Sequence, residues 1–288
     1  MPLVSASDVA TPTWSALVAD AYTRLEAVSP LVRIAAGDEE REHEVRDTGG
    51  VGTGTDAGGA GGAGDWVRGS RIAAEPERVE HLVDAEAERI RVAYGQPPRR
   101  DVAATWALQR YLFTACLTLS GPWYLQRRVP WLPLDRIRYA WQNRAFAVRP
   151  LGLTCLPGDR AADLPGVRVL SGEEALRAEL RASVARQTGP VLDAFRPLVR
   201  RRPRALWGMV TDQLAGGIWH MGRHLGEEAS ATRAADTLLP GNTAPYMGGA
   251  GFRPSPDPAG GYTRTRTGCC LYYTIRPDSL CATCPRSC

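Results

Sequence analysis

The sequence contains no lysine: the 35 basic residues other than histidine are all arginine. The simplest reading is the coding bias of a G+C-rich gene, so this absence alone assigns no function. Excess charge is scarce as well. A net charge of +4 over 288 residues gives no sign of the clustered basic face that nucleic-acid binding requires. One run, Arg200-Arg201-Arg202-Pro203-Arg204, is locally basic. It reads as a solvated helix boundary broken by Pro203, with contact to an anion or an acidic partner protein as the alternative. No uninterrupted apolar stretch reaches the length of about eighteen residues that a transmembrane helix needs. The first residues lack the basic and apolar regions of a secretory signal, so the expectation is a cytoplasmic protein. A Walker loop is missing, as are a Gly-x-Ser-x-Gly elbow and a Ser-His-Asp order. No period of about 20–50 residues repeats, which excludes a solenoid.

What is present is an ordinary globular composition, 44% hydrophobic and 23% charged. A chain of this length buries enough apolar surface to fold without a metal. Helical spacing of apolar residues recurs over 12–28, 76–94 and 101–119, the last closed by Gly121-Pro122. Tyr139 to Val148 and Leu151 to Leu156 alternate apolar and polar residues and suggest a small sheet or hairpin. Ser171-x-x-Glu174 is a capping-box pattern, and helices follow over 172–187, 190–200, 204–225 and 227–239. The predicted fold class is therefore mainly α with a small β element (α+β). Gly49 to Gly64 holds nine glycines in sixteen positions, a linker or surface loop. It contains Gly52-Thr53-Gly54-Thr55-Asp56-Ala57, formally a dinucleotide-binding pattern. The charged stretch from Glu39 to Asp47 before it cannot be the buried strand that pattern requires. Residues 240–261 are rich in glycine and proline, and divide a body over 1–261 from a C-terminal segment over 262–288.

That segment carries most of the chemistry. Cys269-Cys270, ten residues, Cys281, two residues and Cys284 place four of the seven cysteines in sixteen positions. Clustered thiols, with an odd total, fit a metal site better than a disulfide framework. Soft thiolates suit zinc, Cu(I) or an iron–sulfur cluster, and the residues alone leave these open. Cys281-x-x-Cys284 is a turn that can chelate one metal. Adjacent Cys269 and Cys270 point to opposite faces of an extended strand, so both reach one centre only if the backbone turns, which Gly268 permits. Structural zinc sites prefer spaced pairs on both sides, and the vicinal pair departs from that.

Thr267-Gly268-Cys269-Cys270-Leu271-Tyr272-Tyr273 and Cys281-Ala282-Thr283-Cys284-Pro285-Arg286 resemble the C-terminal end of the FhuF-like ferric-siderophore reductases. The body, with Ser120-Gly121-Pro122-Trp123-Tyr124 and Pro203-Arg204-Ala205-Leu206-Trp207-Gly208, is similar in general character. The resemblance implies that Cys269, Cys270, Cys281 and Cys284 bind a [2Fe–2S] cluster. It implies a helical body that binds a ferric siderophore, of hydroxamate type, in the cytoplasm. It also implies one-electron reduction of the iron, and hence an oxidoreductase acting on metal ions. No nicotinamide or flavin site is visible, so the electron is expected from a separate protein such as a ferredoxin or a reductase. Cys288 has no place in the pattern. An iron–sulfur sensor and a zinc-stapled siderophore-binding protein remain the alternatives.

Other residues weigh less. Arg264 and Arg266 stand just before the cysteines, where cations would stabilise a reduced cluster, unless they are solvated loop arginines. His220 and His224 share a helix face, and with Glu227 or Glu228 they would make two histidines and a carboxylate. No motif supports that set, so an amphipathic surface is the preferred reading. Cys116 and Cys155 read as small buried hydrophobes. The eight tryptophans read mainly as core.

Overall fold

The computed structural model describes residues 13–28, 33–36, 66–258, 260–281 and 283–286. The glycine-rich loop, the rejected dinucleotide pattern and Cys288 lie outside them. The class is α+β, with seven helices and three small sheets among the described residues. The helices are α1 (Trp14–Val28), α2 (Gly69–Ala74), α3 (Pro76–Tyr94), α4 (Arg100–Gln126), α5 (Glu173–Val199), α6 (Pro203–His224) and α7 (Glu228–Leu238). Helix α3 begins at a proline, whose missing N–H costs nothing there. It ends at Gly95 in the left-handed region, φ 77°, where glycine carries no steric penalty.

Helix α4 is the axis of the body. It is buried nearly all round, from Val102 through Trp123, and α1, α3, α5 and α6 pack on it. The expected stop at Gly121-Pro122 is not there: the helix continues to Gln126, and Arg127 ends it at φ 57°. A helical proline leaves the carbonyl four residues earlier without its N–H partner. Here that carbonyl belongs to Thr118, and the buried Tyr22 hydroxyl donates to it at 2.7 Å. A tertiary hydrogen bond from α1 thus replaces the one the proline removes.

The two helices expected over 172–187 and 190–200 are one helix, α5, which runs through Pro190 and Pro197. Val184, Gln187 and Thr188 before Pro190, and Val191, Leu192 and Phe195 after it, are buried along the helix. Keeping these residues against the core favours continuity over a break. The capping box does not form either. Helix α5 starts at Glu173 after Gly172, with no side-chain cap, so Ser171 stands one position too early. Glu173 and Glu174 instead complement the positive end of the helix dipole.

The expected small sheet is two. Strands β1 (Arg33–Ala36), β2 (Trp66–Arg68), β4 (Ile137–Ala140) and β5 (Ala145–Val148) form one sheet in the order β1-β5-β4-β2. Strands β3 (Val129–Trp131), β6 (Gly152–Cys155) and β7 (Val167–Val169) form another, in the order β3-β6-β7. β4 and β5 are the antiparallel hairpin the alternation predicts. The chain at 149–151 then crosses to the second sheet instead of extending the first. A third pair, β8 (Phe252–Pro254) and β9 (Tyr262–Arg264), is antiparallel and leads into the cysteine segment.

Candidate metal centre

Beyond β9 the chain has little regular structure, so side chains of the body fix its path. Asp212 on α6 is the central one, with its side chain 1% exposed. Its Oδ1 accepts from Arg264 Nη2 at 2.7 Å and from the Thr267 amide at 2.8 Å. Its Oδ2 accepts from the Gly268 amide at 2.8 Å, with Arg266 Nε at 3.7 Å. One carboxylate therefore orients the two peptide groups just before Cys269 and neutralises a buried guanidinium. Burial pulls Arg264 below its ordinary pKa, and the Asp212 charge opposes that shift. Gly208, one helical turn before Asp212, makes the approach possible: a Cβ there would sit 2.8 Å from Thr267 Cγ2.

Two further clamps hold the cysteine pair. Trp106 Nε1 on α4 donates to the Cys270 carbonyl at 2.7 Å, and Arg201 Nη2 donates to the Cys269 carbonyl at 2.7 Å. Trp106 also stacks on Tyr272, with ring centroids 6.1 Å apart and planes at 18°. Ile275 inserts between Ile90 and Val102 to form a small apolar core of its own. The sharp bend after the pair falls on Leu271, φ 62°, and not on Gly268, whose part is to place its amide on Asp212.

No described cysteine is in a disulfide, and Cys281 lies within electrostatic reach of both Cys270 and Cys284. Cys270 and Cys281 bring their sulfurs to 3.7 Å. A tetrahedral centre with metal–thiolate bonds of about 2.3 Å sets its sulfurs about 3.8 Å apart. This pair spans the two halves of the motif, and Cys284 also acts electrostatically on Cys281. The Leu271 amide points at Cys269 Sγ at 3.5 Å and the Arg286 amide at Cys284 Sγ at 3.4 Å. Donors aimed at sulfur are what thiolates carrying a metal's charge require. Burial pushes the Cys281 thiol up to about 12, with Cys270 adding to the shift. Cys270 and Cys284 are buried, whereas Cys269 and Cys281 are partly exposed.

Residues 266–286 match the FhuF 2Fe-2S C-terminal domain. The match points to a [2Fe–2S] cluster and, at family level, to siderophore-iron reduction. No curated protein matches the chain. Four soft thiolates, a sulfur pair at tetrahedral spacing and two amides directed at sulfur make the FhuF-type segment suited to such a cluster. No helix of the described residues is long and apolar enough to cross a membrane.

A cavity of about 560 Å³ adjoins the segment on its α6 side. Phe113, Trp219, His220, His224, Arg266 and Thr283 line it, together with Asp212, Arg223 and Arg264. Thr283 lies between Cys281 and Cys284, and its carbonyl accepts from the Arg266 amide at 3.1 Å. The cavity and the cysteine turn therefore share a wall. Arg264 Nε and Arg266 Nη2 are buried there without a hydrogen-bond partner. Neither arginine is a solvated loop residue: Arg264 pairs with Asp212 at 2.7 Å and Arg266 at 3.7 Å.

The histidine pair does not form a two-histidine, one-carboxylate set. Glu228 accepts from Trp219 Nε1 at 2.6 Å and Glu227 from Tyr124 Oη at 3.3 Å. The two imidazoles pack edge to face, 4.4 Å apart. Burial, followed by His224 and Arg223, lowers the His220 pKa. Cys116 and Cys155 are buried, as expected. Sequence reasoning missed Asp212. The available signal was an acidic residue in a helix whose neighbours Met209, Val210, Leu214 and Ala215 all belong to the core. Trp106, read as core, is also a tether.

Proposed function

We propose that the chain is a ferric-siderophore reductase whose Cys269, Cys270, Cys281 and Cys284 hold a [2Fe–2S] cluster. The observation that carries this reading is the shared wall: the FhuF-type cysteine turn and a substrate-sized cavity meet at Arg266 and Thr283. Bound to four thiolates, such a cluster accepts and gives up one electron at a time.

The residues around it divide the remaining tasks. Asp212, Trp106 and Arg201 fix the turn so that the sulfurs need not reorganise. The Leu271 and Arg286 amides stabilise negative charge on Cys269 and Cys284. The cavity receives the ferric chelate, with Phe113 and Trp219 against its apolar parts and Arg266 toward its oxygens. Hydroxamate oxygens are hard ligands that hold Fe(III) tightly and Fe(II) weakly. One electron therefore loosens the chelate and lets the iron go. An electron-donor protein, such as a ferredoxin or a reductase, supplies it, and the reaction belongs to the cytoplasm.

The test begins with iron and acid-labile sulfide content of protein purified without oxygen. Two irons and two sulfides per chain are expected, with visible absorption that disappears in Cys281→Ser. Trapping Fe(II) from a ferric hydroxamate in the presence of dithionite then gives turnover by wild type and none by the variant. Stoichiometric zinc without sulfide would replace this reading with a zinc-stapled binding protein. A coloured protein that reduces no chelate would replace it with a sensor.

A further inference from the structure

We propose that an arginine-rich face beside Cys269 is the docking surface for an acidic electron-donor protein. The inference rests on the reductase reading above and names the route by which the electron enters. The run 200–202 looks like an ordinary solvated helix boundary, yet the fold brings it to the cysteine pair. Arg201 reaches the Cys269 carbonyl at 2.7 Å, and Cys269 is one of the two partly exposed motif cysteines. Other arginines join the run from separate parts of the chain. Arg99 and Arg200 both act electrostatically on Asp101. Arg286 sits over the Tyr273 ring at 4.0 Å, and Arg276 lies over Tyr94 at 5.7 Å.

Arg200, Arg202, Arg276 and Arg286 are exposed, and none forms an ion pair among the described residues. Among the described residues, Asp101 lies against these arginines, bound to Arg99 at 2.6 Å, and Asp278 is two positions from Arg276. The described surface thus carries exposed arginines without ion-pair partners among the described residues, although the whole chain carries only +4. Leu280, next to Cys281, is 51% exposed and supplies an apolar contact inside the charged rim, the usual composition of a protein interface. None of these arginines lines the cavity. Donor and ferric chelate thus approach the cysteine turn from different sides and need not displace each other. The exchange is of electrons alone. The donor loses one, and the iron of the chelate goes from Fe(III) to Fe(II). No bond of the protein forms or breaks.

Electrostatic steering of this kind raises association rates and weakens with salt. The experiment uses the cluster-loaded protein, an acidic [2Fe–2S] ferredoxin as probe, and a basic c-type cytochrome as its opposite in charge. Calorimetry should show ferredoxin binding that weakens about tenfold or more as ionic strength rises from about 0.01 to about 0.1 M, and no cytochrome binding. In Arg202→Glu/Arg276→Glu, ferredoxin affinity and ferredoxin-driven turnover should both fall at least about tenfold, while dithionite-driven turnover and the visible spectrum stay as in wild type. Each single reversal should show a smaller loss in the same direction. Ferredoxin affinity indifferent to both salt and the reversals, or equal affinity for the basic cytochrome, would overturn the docking face. Salt-dependent ferredoxin binding by a wild type that reduces no chelate with dithionite would keep the face and overturn the reductase reading instead.

Discussion

The helical body and the cysteine tail are held by opposite means. The body is a continuous apolar core in which α4 is enclosed by the helices around it. Its polar groups mend local faults, as Tyr22 does at the carbonyl that Pro122 leaves free. The tail has an apolar anchor of three buried residues, Ile90, Val102 and Ile275. It keeps its course because Asp212, Trp106 and Arg201 bind its backbone. Burial is non-directional and tolerates small displacements, whereas hydrogen bonds to peptide groups fix position. The body is therefore built for stability, and the tail for placing four sulfurs.

If that contrast holds, the two kinds of change should separate in experiment. Asp212→Ala should have the largest effect. It leaves Arg264 buried without its partner, at a cost of about 3–5 kcal/mol, and deprives the Thr267 and Gly268 amides of their acceptor. Both the urea midpoint and the visible absorption should fall. Asp212→Leu/Arg264→Met sharpens the point: removing both charges should recover most of the stability, but not the colour, because the two amides remain unpaired. Recovery of both would show that the carboxylate acts only as a counter-charge. Tyr22→Phe comes next. It strips the donor from a buried carbonyl, worth about 1–3 kcal/mol, and should lower the midpoint with the spectrum unchanged. Trp106→Phe is the smallest, about 1 kcal/mol. It should leave the midpoint of the body in place and shorten the lifetime of the visible absorption in the presence of a chelator. An equal shift of the midpoint in Trp106→Phe and Tyr22→Phe would erase the distinction between the two regions.

Much of the body was legible because it follows apolar periodicity. Helix α3 runs from Pro76 to Tyr94, as Pro76 and Gly95 predict. The misreadings fall where a distant residue overrules a local signal. Pro122 reads as a stop until Tyr22, almost a hundred residues earlier, is seen to satisfy Thr118. Pro190 reads as a break until the residues flanking it are seen to be buried on both sides. The cysteine motif was legible as spacing, but its internal pairing was not. The close approach of Cys270 to Cys281 depends on the left-handed turn at Leu271, a conformation that leucine does not advertise. Asp212 escaped notice, and Arg201 was read only as part of a basic run, for the same reason. Their partners are backbone groups some fifty to seventy residues away, and sequence patterns record side chains, not the peptide bonds they hold.

The sulfur pair at 3.7 Å joins two loops that have little else in common. A metal held there would act as a clasp, closing one loop onto the other, so its removal should loosen both loops and raise their susceptibility to protease together.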